Sequence, residues 1–161
     1  MVDLAVLHGK RILAVDDEPD VLEVIHDELA SCDVVTAGNF ELAQQLILTD
    51  HFDLVILDIM GVNGFALLET CRDRKMPAAM LTAHAINLDS LNKALKLGAV
   101  SFLPKEELAR LPELVAEILE GLAEGRSHWS QLFKRLGPFF KERLGIVWED
   151  VEKPPYPPFQ Y

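Results

Sequence analysis

The feature that most constrains this chain is an alternation of two hydrophobic periods. Five short apolar runs, RILAV (11–15), DVVTA (33–37), LVIL (54–57), AAML (78–81) and VSFL (100–103), are each followed by a segment whose apolar residues recur at helical spacing. After the first run, PDVLEVIHDELA (19–30) sets Val21, Leu22, Val24, Ile25 and Leu29 on one stripe behind a proline suited to a helix's first turn. Residues 40–50, 65–74, 88–98 and 112–122 repeat the pattern, with Gly98 as a stop for the fourth segment. Continuous apolar runs belong to strands buried on both faces, which βαβ crossovers produce. The expected fold is therefore α/β, a doubly wound five-stranded parallel sheet with helices on both faces, over about residues 9–122.

Sheets of this kind bind ligands at the carboxyl ends of their strands, near the topological switch point. There the first strand delivers Asp16, Asp17 and Glu18, the third Asp58, the fourth Thr82 and the fifth Lys105. Each has an ordinary reading alone: acids before a proline are a solvated helix start, a strand-end Asp is a cap, and a lysine is exposed. Together they are harder to dismiss, because Asp16, Asp17 and Asp58 at one crevice would repel unless a cation sat among them. A hard divalent ion with oxygen ligands, most simply Mg²⁺, fits that need and keeps open positions for water and a phosphate oxygen. Lys105 would add positive charge toward the phosphate, the Thr82 hydroxyl could donate to a phosphoryl oxygen, and Asp58, on the middle strand, is the carboxylate positioned as nucleophile. The set reads as phosphoryl chemistry.

The segments AVDDE, VILDIM, LTAHA and SFLPKE, at these spacings and over roughly three quarters of the chain, resemble the receiver domain of two-component response regulators. The resemblance implies the flavodoxin-like strand order 2-1-3-4-5. It implies phosphorylation of Asp58 by a sensor histidine kinase or histidine phosphotransfer protein, with Mg²⁺ held by Asp16, Asp17, Asp58 and the backbone carbonyl of Met60. Thr82 and Lys105 match the phosphate-contacting pair. Phe102 matches the aromatic switch, which turns inward as the threonine moves; its ordinary reading is plain core packing. Met60 and His84 occupy the positions that set the rate of dephosphorylation. Neither is a carboxylate or carboxamide that would orient an attacking water, and shielding of the site by Met60 would make the phosphorylated state long-lived. On this resemblance the chain is a phosphoacceptor signalling protein to an unspecified downstream protein, with no enzymatic activity beyond self-catalysed transfer and autodephosphorylation.

Two departures stand out. In the family the lysine is followed by a proline, whereas Lys105 is preceded by Pro104 and followed by Glu106, and the DIMGVNG loop is short and lacks the usual proline. They open an alternative, a degenerate receiver serving as a phosphorylation-independent scaffold or dimerisation module. An aspartyl-nucleophile phosphatase is a second alternative, although the haloacid-dehalogenase pattern wants an Asp where Met60 stands. Dinucleotide binding fails at the first turn, where DDEPD offers carboxylates instead of glycines and free amides.

No run approaches the roughly 18 apolar residues that span a bilayer, and the opening MVDLAVLHGKR carries an acid within a short apolar patch. A soluble, unprocessed, cytoplasmic protein is expected. Cys32 and Cys71 stand alone, without the spacing of a zinc site or a disulfide framework. The net charge of −11 is concentrated in residues 1–120, with 9 basic and 21 acidic side chains, which argues against nucleic-acid binding.

Eight of the twelve aromatic residues lie beyond residue 120, dividing the chain into a receiver-like domain (9–122) and a helical extension with a proline-rich tail (123–161). In the extension Trp129, Leu132, Phe133, Leu136, Phe140 and Leu144 form an amphipathic stripe interrupted at Gly137-Pro138, before KPPYPPFQY. Such a segment packs back on the domain or offers a partner surface, and a homodimer would form through it or through the helix 4 to strand 5 face. A membrane role is not expected, because its basic residues are partly offset by acids.

Overall fold

A computed structural model describes residues 3–83 and 87–125, together with Pro138, Lys141 and Glu142. His84 and the aromatic stripe of the expected extension lie outside the described residues.

Among the described residues up to 125, five strands and five α-helices alternate: β1 (Arg11–Val15), α1 (Pro19–Glu28), β2 (Asp33–Ala37), α2 (Phe40–Thr49), β3 (Leu54–Asp58), α3 (Gly64–Asp73), β4 (Ala78–Thr82), α4 (Leu88–Lys96), β5 (Ser101–Pro104) and α5 (Leu111–Ala123). The strands form one parallel sheet in the order β2-β1-β3-β4-β5, as the resemblance implied. The order reverses between β1 and β3, whose registers run Ile12↔Leu54 to Val15↔Leu57. β3, β4 and β5 are buried along their whole length, β5 although it is an edge strand, while β2 at the other edge is partly exposed.

The core is built from the strand residues and one face of each helix, with Phe52, Phe102, Ile25, Ile47 and Leu67 among its largest fully buried side chains. Two helices start on side-chain caps. The Asn39 and Asn87 carboxamide oxygens each accept the N–H three residues on, at 2.8 Å, satisfying donors that the first helical turn leaves free.

Two 3₁₀ segments were not expected. Leu4–Leu7 is capped by Asp3, whose carboxylate accepts the Ala5 N–H at 2.9 Å, and it packs on α5 with Leu7 buried. The short N-terminal apolar patch is thus a covering for α5. Lys105–Arg110 links β5 to α5, so the lysine expected at a strand end sits in a tight turn immediately after Pro104. Pro104 closes the strand because it has no N–H to give a further ladder bond. Elsewhere element ends move by one or two residues from the sequence-based bounds. β3 and β4 each run one residue further, so Asp58 and Thr82 are themselves strand residues.

Cys32 and Cys71 are free thiols, and burial pushes Cys71 up to about 12. Among the described residues no helix is long and apolar enough to cross a membrane.

Candidate functional site

Four polar or charged residues are buried among those described, namely Asp16, Asp58, Thr82 and Ser101. Buried polar groups are costly unless they are paired, and three of these four stand at the carboxyl edge of the sheet. Asp16 follows β1 and stays in the sheet through its N–H, which donates to the Ala37 carbonyl at 3.2 Å. Asp58 ends β3 opposite Leu81, and Thr82 lies one residue further along β4, opposite Pro104.

Lys105 ties this edge together. Its Nζ lies 3.0 Å from Asp16 Oδ2, 3.2 Å from Glu18 Oε1 and 3.4 Å from Asp58 Oδ1. The ammonium donates a well-directed hydrogen bond to Glu18, whereas Asp16 Oδ2 is within ion-pair distance but off any hydrogen-bond direction. The other Asp16 oxygen accepts the Glu18 N–H at 2.9 Å. Asp16, Asp17 and Glu18 each offer an oxygen within 4.8 Å of the others, and Asp17 and Glu18 face solvent.

The electrostatics record the crowding. Burial, and then the Asp16 charge, push the Asp58 carboxyl from 3.8 to about 6 against the opposing pull of Lys105, with Asp17 adding to the rise. Asp16 is also raised, by burial first, against the Glu18 N–H and Lys105. Burial alone would lower Lys105, but its contacts with Asp16, Asp58 and Glu18 outweigh that and raise it. One ammonium among three to four carboxylates leaves the edge short of positive charge.

The expected residues are thus largely brought together: Lys105 contacts Asp16 and Asp58, the Asp17 charge acts on Asp58, and Thr82 lies on the neighbouring strand. Phe102 is fully buried, one register step before the Leu81↔Leu103 pair. Met60 differs from expectation. Its side chain is 77% exposed and stands in solvent, so it does not shield Asp58. Its carbonyl accepts the Val62 N–H at 2.7 Å, and the Gly64 N–H donates to the Ile59 carbonyl at 3.1 Å.

Two residues of the edge take parts that the sequence did not assign, Glu18, named there only among the strand-end acids, and Gly61. Glu18 is a direct partner of Lys105, a role signalled only by its being third in the acidic triplet. Gly61, in the short loop, lies against the Asp17 carboxylate: a Cβ there would fall 2.5 to 2.7 Å from the carboxylate carbon and both oxygens.

Comparison with known proteins agrees with this arrangement. The family model for response regulator receiver domains matches residues 12–118. The response regulator protein PilR of Pseudomonas aeruginosa is 38% identical over 117 residues, 68% of this chain and 26% of that protein. The alkaline phosphatase synthesis transcriptional regulatory protein PhoP of Bacillus subtilis is 33% identical over 103 residues, 60% of this chain and 42% of that protein. The chain therefore spans less than half the length of these curated relatives. Among solved structures, the receiver domain of NtrX from Brucella abortus is 32% identical, with a TM-score of 0.60 over 68% of this chain and 98% of that one. A CheY-like receiver domain protein from Methanospirillum hungatei is 27% identical, with a TM-score of 0.64 over 70% and 94%. By its sheet order, its acidic strand edge and these matches, the chain belongs to the response regulator receiver domain family of two-component signalling.

Proposed function

We propose that this chain accepts a phosphoryl group on Asp58 from a phosphohistidine of a sensor histidine kinase or phosphotransfer protein, and signals by conformational change to a protein partner. The observation that carries the reading is the buried Asp58 at the end of the central strand, sharing one lysine with Asp16 beside an acidic cluster. In the transfer an Asp58 carboxylate oxygen bonds to phosphorus, the phosphorus–nitrogen bond breaks, and the imidazole leaves as a neutral ring after taking a proton. Lys105 Nζ, 3.4 Å from Asp58 Oδ1, meets the charge that this places on the phosphoryl oxygens. Thr82 is the neighbouring hydroxyl able to donate to one of them.

The donor set suits a hard cation. Asp16 Oδ2 is fully buried without a hydrogen bond, and its charged partner, the Lys105 ammonium at 3.0 Å, is shared with Glu18 and Asp58, so the carboxylates outnumber the positive charge among them. Asp16, Asp17, Asp58 and the Met60 carbonyl, which has a second lone pair besides the one facing Val62, would hold Mg²⁺. When bound, Mg²⁺ supplies positive charge to neutralise the oxygens of the transferring group.

Phosphorylation would replace one carboxylate charge with a larger anion and so compete for Lys105, releasing it from Glu18 or Asp16. That exchange biases the β4–β5 edge, where Thr82 and the buried Phe102 form the switch pair. The receiver unit in this reading is residues 9–122, with 123–161 as an appendage.

The test is mass measurement after treatment with a small phosphodonor and Mg²⁺. Wild type gains one phosphoryl mass and Asp58→Asn gains none. If wild type neither gains the mass nor binds Mg²⁺, the phosphoacceptor reading fails and a scaffold role replaces it.

A further inference from the structure

Gly61 lies in none of the positions expected to act, yet it touches one of them. Among the described residues no hydrogen bond or ion pair fixes the Asp17 carboxylate, which is exposed. What lies against it is the Gly61 backbone: a Cβ built there would meet Asp17 Oδ2 at 2.5 Å, Cγ at 2.6 Å and Oδ1 at 2.7 Å. No real Cβ tolerates those distances from three atoms, so either the carboxylate or the loop would have to move.

The same residue shapes the loop. Gly61 has φ +71 and is bracketed by the Val62 N–H donating to the Met60 carbonyl at 2.7 Å, the bond that closes a three-residue γ-turn. Side chains rarely adopt that φ, whereas glycine does so freely. Two groups of the cation site therefore depend on Gly61: the Asp17 carboxylate, which rests on its Cα, and the Met60 carbonyl, whose direction the turn sets.

We propose that Gly61 is a positioning residue for the divalent-cation site, its missing side chain letting the shortened loop close onto the Asp17 carboxylate. The inference rests on the phosphoacceptor reading for the cation's identity, but the contact is a property of the polypeptide and can be tested without metal. The physical cause is the loop's brevity. With few residues between Asp58 and Gly64, the turn is drawn over the β1 end, so that a Cβ at residue 61 would push the Asp17 carboxylate away from its place beside the loop.

The experiment has two arms on the full chain. In the first, Mg²⁺ affinity is measured by calorimetry for wild type and Gly61→Ala. A drop of about tenfold or more, the size typical for groups that orient metal ligands, is expected. Wild-type binding with Gly61→Ala within about twofold of it overturns the proposal. No binding by wild type overturns the phosphoacceptor reading, and the metal-site role of Gly61 with it. The second arm is a metal-free double-mutant cycle on urea midpoints with Asp17→Ala. The strain of an alanine at positive φ is the same in both backgrounds and cancels. Gly61→Ala should therefore lower the midpoint more in wild type than in Asp17→Ala, where the obstructing carboxylate is gone. Equal losses overturn the proposal, as does a double variant that fails to fold when Asp17→Ala alone folds.

Discussion

Replacing Asp58 with asparagine should make the metal-free protein more stable at neutral pH, although Asp58 is the residue on which function turns. The carboxyl is 5% exposed and carries its charge beside Asp16 and Asp17. Burial and the Asp16 charge raise it from 3.8 to about 6 in the folded protein, so the fold binds its proton more tightly than the unfolded chain does. A group raised in this way contributes stability that is fully present below about pH 4 and lost as pH rises through about 6. At about 1.4 kcal/mol per pH unit, the interval from 3.8 to about 6 amounts to about 3 kcal/mol lost by pH 7.5. Asparagine is nearly isosteric and neutral, so it avoids the loss without opening a cavity. Lys105 is not stranded by the change, because Asp16 and Glu18 remain at 3.0 and 3.2 Å. Urea denaturation in EDTA should therefore show Asp58→Asn more stable than wild type by about 2 to 3 kcal/mol at pH 7.5, with the gap closing between pH 6 and pH 4. An asparagine variant less stable than wild type at pH 7.5, or a gain that does not change with pH, would refute the account of the crowded edge. Saturating Mg²⁺ should shrink the gap from the other side by stabilising the wild-type carboxylate.

Other consequences follow from individual contacts. Gly64→Ala would drive a Cβ into the Asp58 carbonyl oxygen, so it should destabilise the fold by about 2 to 3 kcal/mol in urea denaturation; a change under about 0.5 kcal/mol would mean the loop has room to relax. Lys93 Nζ lies 4.6 Å from the centre of the Phe65 ring and bridges α4 to the start of α3. Lys93→Met should lower stability by about 0.5 to 1 kcal/mol with little salt dependence, and an unchanged melting temperature would count against the contact. Asn87→Ala removes the cap of α4 and should cost about 1 kcal/mol, checked by thermal melting, whereas Asn87→Ser should recover most of it. Phe102→Ala should cost about 3 to 5 kcal/mol whatever its role in signalling, because its ring is fully buried; a loss under 1 kcal/mol would contradict that packing.

The helices, the strands and the chemical character of the site were legible in the sequence for a physical reason. Hydrophobic period is a local property, and strands buried on both faces write it as unbroken runs such as LVIL before Asp58. An acid, a hydroxyl and a lysine at successive strand ends then meet at one edge in any parallel sheet of this winding. The sequence also carried the departures, the short DIMGVNG loop and the Pro104-Lys105-Glu106 order, but not their consequences. Those depend on distances between segments far apart in the chain. Only the folded arrangement sets Glu18 within 3.2 Å of a lysine that follows it by 87 residues, and seats the N-terminal Leu4–Leu7 turn on α5. Only there does Met60 stand 77% exposed rather than over the site, and Gly61 lie against Asp17. Residue type and period are read one segment at a time, whereas which side chains share a lysine or a missing Cβ is decided by packing.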